Sequence, residues 1–258
     1  MNYGFFNTII FITSSVLTFF AAHNKIMTKE RTILRQRYCM ITYEDIKHDP
    51  SINTFISKAD EALVALGYTE HGFSHVITVS RMAEYILRSL KASARDIELA
   101  KIAAYLHDIG NLVNRSEHSQ SGAVMAFRLL LAKGMNAEDV STIVSAIGNH
   151  DEGTGVPVNN IAAALILADK SDVRRSRVRN RDFSTFDIHD RVNYSVTHSD
   201  LSIDLDSKEI ILTLEIDTEI SSVMDYFEIV LARMMLCRKA AETLGLRFRL
   251  IINNQSLI

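Results

Sequence analysis

The chain has 258 residues, of which 47% are hydrophobic and 23% charged, and its formal net charge is −3. This describes an ordinary globular core sized for one large or two modest domains, with no global electrostatic drive toward nucleic acid. Ten glycines and two prolines are few for the length and favour a helical protein, and the only two cysteines, Cys39 and Cys237, form no CxxC pattern and fit a reducing compartment.

Tyr3–Ala22 contains no charged residue and is long enough to span a bilayer as a helix. The residues before it lack Lys and Arg, which makes a poor secretory signal. Lys25, Lys29, Arg31, Arg35 and Arg37 follow it and would hold the downstream chain in the cytoplasm. Met40-Ile-Thr-Tyr-Glu-Asp also reads like a natural protein start. Residues 1–39 are therefore either an upstream extension or a single-span membrane anchor. Both readings leave the remainder cytoplasmic, and only the second gives it membrane contact.

Asp49-Pro50 is a helix start, with Asp as the N-cap and Pro at the first position. Ile52, Phe55, Ile56, Ala59, Leu63 and Leu66 follow at helical spacing, and Gly67 suits the end. After His71-Gly-Phe-Ser-His75, a second amphipathic helix runs through Val76, Val79, Ala83, Ile86 and Leu90, with His75 in its first turn. A third spans about Ala94 to Asp108, where Gly110 lets the backbone turn out. Glu117-His118 opens a fourth, which ends near Lys133-Gly134. Asn136 caps a fifth, ending at Asn149-His150-Asp151-Glu152. The loop Gly153-Thr-Gly-Val-Pro157 leads to a sixth, Asn160–Lys170, so apolar over Ile161–Ala168 that it must be buried.

Each helix offers a metal-type ligand near an end: His75, His107 with Asp108, His118, His150 and Asp169. Imidazole and carboxylate together suit a divalent metal of borderline hardness. Asp169 closes a helix too apolar to tolerate an unpaired charge, so it needs a cation or strong donors.

In this order the residues resemble the HD-domain metal-dependent phosphohydrolase superfamily, over roughly Ile41–Arg181. The likeness is greatest to members with an H…HD…H…H…D pattern, which hold two metals, and extends to the HD-GYP branch of cyclic-dinucleotide phosphodiesterases. The resemblance implies a helical HD-domain bundle over residues 40–185. It implies that His75, His107, Asp108 and Asp169 hold one metal, and that Asp108 bridges to a second completed by His118 and His150. A hydroxide between the metals would attack phosphorus, with His107 and Asp108 at the catalytic centre. The two divalent transition metals would be Fe, Mn, Co, Ni or Zn. Three departures weigh against cleavage of cyclic di-GMP: Asn111 replaces the branch's Lys, Asn149 replaces the first of its paired His, and Val156 replaces Tyr in a shortened Gly-x-Gly-Tyr-Pro loop. His71, four residues before His75, is read as a support behind the ligands or a cap.

Six of the twelve residues from Lys170 to Arg181 are basic. They form either a solvated face paired with local acids such as Asp172 and Asp182, or a phosphate clamp beside the metals. Lys170, Arg174 and Arg177 share a face if the helix continues, and they are taken as substrate contacts together with Asn111. Asp172 could orient Lys170 or a ligand His. Ile188-His189-Asp190-Arg191 is a second His-Asp, but it follows a polar stretch with no ligand set, and reads as a decoy.

Beyond Tyr194 the period changes. Leu201, Ile203 and Leu205, then Ile210, Leu212, Leu214 and Ile216, alternate as a β-hairpin. A helix starts at Thr218 or Ser221 and carries Val223, Phe227, Val230, Leu231, Met234 and Met235. Leu246–Ile252 alternates as a last strand. A small ββαβ unit over residues 195–258 would cap the helical domain or form a homodimer interface.

The expected fold is thus mainly α, a helical HD-domain bundle followed by a small α+β unit. The expected activity is metal-dependent hydrolysis of a phosphate ester or anhydride in a small nucleotide-like substrate, without nucleic acid as a partner. The alternatives are a cyclic-dinucleotide phosphodiesterase, a di-iron oxygenase of the HD type, and a nucleotide-binding sensor without enzymatic activity.

Overall fold

The computed structural model describes residues 40–257. The apolar stretch Tyr3–Ala22 and the whole of residues 1–39 lie outside the described residues. Residues 41–258 cluster as one compact unit. Among the described residues, no helix is long and apolar enough to cross a membrane.

The helices are α1 (Tyr43–Lys47), α2 (Pro50–Ala65), α3 (Phe73–Ser89), α4 (Ala94–Leu106), α5 (His118–Ala132), α6 (Ala137–Gly148), α7 (Asn160–Ser171), α8 (Ile188–Ser195) and α9 (Val223–Thr243). A 3-10 turn over Ile109–Leu112 links α4 to α5. Their ends follow local chemistry. Asp49 caps α2 by accepting from the Ser51 and Ile52 amides at 2.8 and 2.9 Å, with Pro50 at the first position. Ser93, Asn136 and Asn159 cap α4, α6 and α7 in the same way. Gly67 and Gly134 take the left-handed torsion just past α2 and α5.

The central helix is α7. Ile161 through Ala168 are all buried, because α7 touches α3 and α4 on one side, α6 on another, and α9 of the C-terminal part. Full burial of one Leu or Ile side chain contributes roughly 1.5–3 kcal/mol, so the run Leu165-Ile166-Leu167 is a major stabilising element.

The C-terminal part forms a sheet of order β1-β2-β3-β4, from β1 (Val196–Asp204), β2 (Glu209–Ile216), β3 (Arg247–Ile252) and β4 (Gln255–Ser256). β1 and β2 are the antiparallel hairpin, α9 crosses over, and β3 pairs parallel to β2. Inward residues Ile210, Leu212, Leu214, Phe248 and Leu250 meet the buried stripe of α9, including Tyr226, Val230 and Met234. Residues 40–185 and 195–258 therefore share one hydrophobic core across α7 and α9. The fold is a helical bundle followed by a small α+β unit, with the ββαβ order expected and a two-residue strand added.

One local expectation fails. The helix carrying Asp169 stops at Ser171, where Asp172 leaves helical geometry, so Lys170, Arg174 and Arg177 share no helical face. The polar stretch around His189 forms α8, capped by Asp187.

Candidate metal centre

Five helix ends converge. α3 brings His75 in its first turn, the end of α4 brings His107 and Asp108, α5 starts with His118, His150 follows α6, and Asp169 lies in the last turn of α7. Gly110 makes the convergence sterically feasible. It sits in the 3-10 turn without a left-handed torsion, so its role is closeness rather than turning. A Cβ on Gly110 would lie 1.9 Å from the His118 carbonyl oxygen and 2.4 Å from the Gly122 nitrogen. Only glycine lets the turn after Asp108 rest against the first turn of α5.

All four imidazoles are held from behind. The Nδ1–H groups of His107, His118 and His150 donate to the carbonyls of Ala104, Arg115 and Ile147 at 2.7, 3.0 and 2.6 Å. His75 Nδ1 donates to Asp172 Oδ2 at 2.7 Å. Three of these partners can only accept and the fourth is a carboxylate, so each ring presents Nε2 to the centre. The Nε2 atoms meet in pairs, His75 with His107 at 3.3 Å and His118 with His150 at 3.2 Å.

Asp108 joins the pairs. Its Oδ2 lies 3.2 Å from His107 Nε2 and 3.6 Å from His75 Nε2, while Oδ1 lies 3.4 Å from His118 Nε2 and 4.0 Å from His150 Nε2. Asp169 Oδ1 completes the first pair, 3.2 Å from His75 and 3.6 Å from His107. Asp151 Oδ1 stands 3.9 Å from His118 on the other side. The ligand atoms of His75, His107 and Asp169 lie within 4.8 Å of one another, as do those of His107, Asp108 and His150.

The residues fit a divalent cation. Asp108 Oδ2 is buried and accepts no hydrogen bond, a costly state for a carboxylate oxygen without a cation. Two nitrogens bound to one cation at about 2.0–2.1 Å are separated by roughly 3.0–3.4 Å, the range of both Nε2 pairs. Electrostatics agree. Burial pushes the His150 imidazole down to about 3, helped by charge on His107 and Lys170. Burial also disfavours charge on His107, but Asp108 and Asp169 outweigh it and raise the ring to about 10. Asp108 and Asp169 are desolvated as well, and the surrounding cations still hold both well below the ordinary carboxylate range.

The other expected site residues fall as follows. Asp172 orients His75, one of its two anticipated roles. Asn111 is buried and does not face the cavity above the cluster. Its Nδ2 donates to the Asp108 carbonyl at 2.9 Å and to Asp108 Oδ1 at 3.0 Å, so it fixes the carboxylate rather than a substrate. Lys170 lines the cavity, but its Nζ lies 2.8 Å from Asp169 Oδ2 and 2.7 Å from Glu152 Oε2. Arg174 turns outward, pairing with Asp172 and donating to Ser74 Oγ at 3.2 Å, and is absent from the cavity wall. The cause is the helix end at Ser171. Arg177 lines the cavity and donates to the carbonyls of Glu70 and Asp172. His71 also lines it, with Nδ1 donating to the Thr69 carbonyl at 2.7 Å, and burial holds this ring well below its usual value.

Several cavity residues carried no signal in the sequence. Arg115 lies in the turn before α5. Glu152 follows His150 and receives Arg233 of α9 at 2.9 Å, so the C-terminal unit reaches the site. The second His-Asp, read as a decoy, holds no ligand set, yet His189 and Asp190 line the same cavity.

Residues 72–187 match the family model of the HD domain. The uncharacterized protein MJ1020 of Methanocaldococcus jannaschii is 29% identical over 160 residues, covering 53% of this chain and 61% of the relative. The chain thus matches about three fifths of that relative's length, and the relative's name assigns no activity. The matched segment, which contains His107-Asp108, is an HD domain, a family whose members are mostly metal-dependent phosphohydrolases.

Proposed function

We propose that the protein is a metal-dependent phosphohydrolase that cleaves a phosphate ester or anhydride of a small nucleotide-like substrate. His75, His107, Asp108 and Asp169 would hold one divalent cation, and Asp108, His118 and His150 a second. The observation that carries this reading is the division of one carboxylate between two imidazole pairs, Asp108 Oδ2 toward His75 and His107, Oδ1 toward His118 and His150. Cations held there supply a Lewis acid that activates water and neutralises charge on phosphoryl oxygens. The mixed His and carboxylate set suits Fe, Mn, Co, Ni or Zn.

The chain's own groups do the rest. Asn111 fixes the rotation of Asp108, Asp172 fixes the ring and tautomer of His75, and Lys170 ties down Asp169. Arg115 lines the cavity with no ion pair among the described residues, and its guanidinium favours a phosphorylated ligand.

A phosphate-release screen tests the reading. The purified full chain is assayed with added Mn or Fe over nucleoside mono-, di- and triphosphates and cyclic dinucleotides. At least one class should release phosphate or a nucleotide with the chain as isolated, and Asp108→Ala should abolish the release. No turnover of any phosphate ester, with oxygen consumed instead, would favour the oxygenase and overturn the proposal.

A further inference from the structure

The cavity above the His/Asp cluster encloses about 350 Å³ and is lined by two unlike groups of residues. In the first, Arg115 lies over the Tyr68 ring, 5.4 Å from its centroid, and donates to Asn111 Oδ1 at 3.3 Å. Among the described residues Arg115 makes no ion pair. The other cations of the wall are engaged: Lys170 with Asp169 and Glu152, Arg233 with Glu152, Arg177 with two backbone carbonyls. Arg115 is therefore the wall's cation without an anion among the described residues, and it lines the same cavity as Asp108.

A second group of lining residues comes from α8. His189 and Asp190 each lie about one helical turn before Asn193, and all three line the cavity. Their hydrogen bonding is incomplete. Asp190 Oδ2 accepts from Asn180 at 3.2 Å, and Asn193 Nδ2 donates to the His189 carbonyl at 2.8 Å. Among the described residues, Asp190 Oδ1 and Asn193 Oδ1 have no donor. The wall is firmly built. Phe183 and Phe186 pack with Tyr194 of α8 edge to face or tilted, Arg175 lies over Tyr194, and Val192 and Ser195 are buried.

Resting on the phosphohydrolase reading, we infer that this cavity selects its substrate through both groups of residues. Arg115 takes the phosphate oxygens that face away from the His/Asp cluster, and α8 binds the leaving group through Asp190, Asn193 and His189. Free acceptors and a free cation lining one cavity fit a ligand that carries both an anionic group and hydrogen-bond donors. A cavity at the small end of the usual range, roughly 300–1,000 Å³, admits one compact molecule. The chemical class is a phosphate ester of a small hydroxyl-bearing group, a sugar phosphate or a mononucleotide. The second His-Asp pair thus belongs to substrate selection.

The test compares kcat/KM of the Mn-loaded full chain for ribose 5-phosphate, nucleoside 5′-monophosphates, their 2′-deoxy forms and p-nitrophenyl phosphate, which carries no hydroxyl. The wild type should prefer a hydroxyl-bearing ester, and Asp190→Ala with Asn193→Ala should collapse that preference at least tenfold. Arg115→Met should raise the Kd for inorganic phosphate at least tenfold while metal content stays at the wild-type level. Ribose 5-phosphate and the mononucleotides distinguish whether the sugar alone suffices. If esters are hydrolysed but the α8 variants lose activity equally on all of them, or on none, the inference falls and the phosphohydrolase stands. If no ester is hydrolysed, calorimetry with the same phosphates decides. Binding that the α8 variants lose keeps the subsite while the hydrolase reading falls. Absence of binding by the wild type overturns both.

Discussion

Gly110→Ala should detach one half of the His/Asp cluster from the other. The added Cβ would lie 1.9 Å from the His118 carbonyl oxygen, 2.4 Å from the Gly122 nitrogen and 2.6 Å from Ser121 Oγ. Two of these are backbone atoms, so the first turn of α5 has to retreat by roughly 1 Å, and overpacking of this kind costs about 1–3 kcal/mol. That cost corresponds to a Tm loss of roughly 2–12 °C for a domain of this size. The retreat carries His118 with it, and His118 Nε2 sits only 3.2 Å from His150 Nε2. Metal content should therefore fall from two per chain toward one. Gly148→Ala is the control. Its Cβ would meet Ala123 Cβ at 3.6 Å and Gln120 Oε1 at 3.9 Å, ordinary contacts, and should leave both readings near wild type. Circular dichroism melting and elemental analysis read the two effects. A Gly110→Ala protein with wild-type Tm and wild-type metal content would refute the claim that close approach of the 3-10 turn builds the site.

Other perturbations address the supports around the cluster. Asp172→Asn removes the carboxylate behind His75 Nδ1 and should weaken metal affinity about 10–100-fold, as followed by competition with a chromogenic chelator. Stripping metal with a chelator should lower stability by about 4 kcal/mol for each cation lost, relative to protein held at a thousandfold excess over Kd, read by scanning calorimetry. Asp49→Ala should cost about 1 kcal/mol at neutral pH through loss of the α2 cap. The Asp49 carboxyl is held below its ordinary value by the Lys133 ammonium and then by the Ile52 amide. Its contribution is therefore full above its unfolded pKa of about 3.9 and fades as pH falls through the lower folded value, so the difference in Tm between wild type and Asp49→Ala should shrink below about pH 3.9.

The helical bundle was legible because its signals are local. Asp49-Pro50, Asn136 and the apolar run Ile161–Ala168 each place an element without tertiary help. The His and Asp residues of the cluster were legible because each stands at a helix end, where short connections bring ends together. What escaped was settled by contacts distant in sequence. α7 stops at Ser171 as Asp172 turns to His75, ninety-seven residues away, and this removes Arg174 from the cavity. Nothing local marks Arg233, which reaches Glu152 from a helix eighty-one residues downstream. Gly110 was read as a turn-former, yet its need for glycine comes from the His118 carbonyl pressed against it. The second His-Asp has no ligand set in the sequence, and its place on the cavity wall follows from α8, whose weak apolar pattern conceals a helix.

The most direct test of the central claim is a metal count on three forms of the full chain: wild type, His118→Ala with His150→Ala, and Asp108→Ala. If Asp108 joins two cation positions, the three should hold close to two, one and no transition metals per chain. A wild-type count of one, or an Asp108→Ala protein that keeps two, would contradict it.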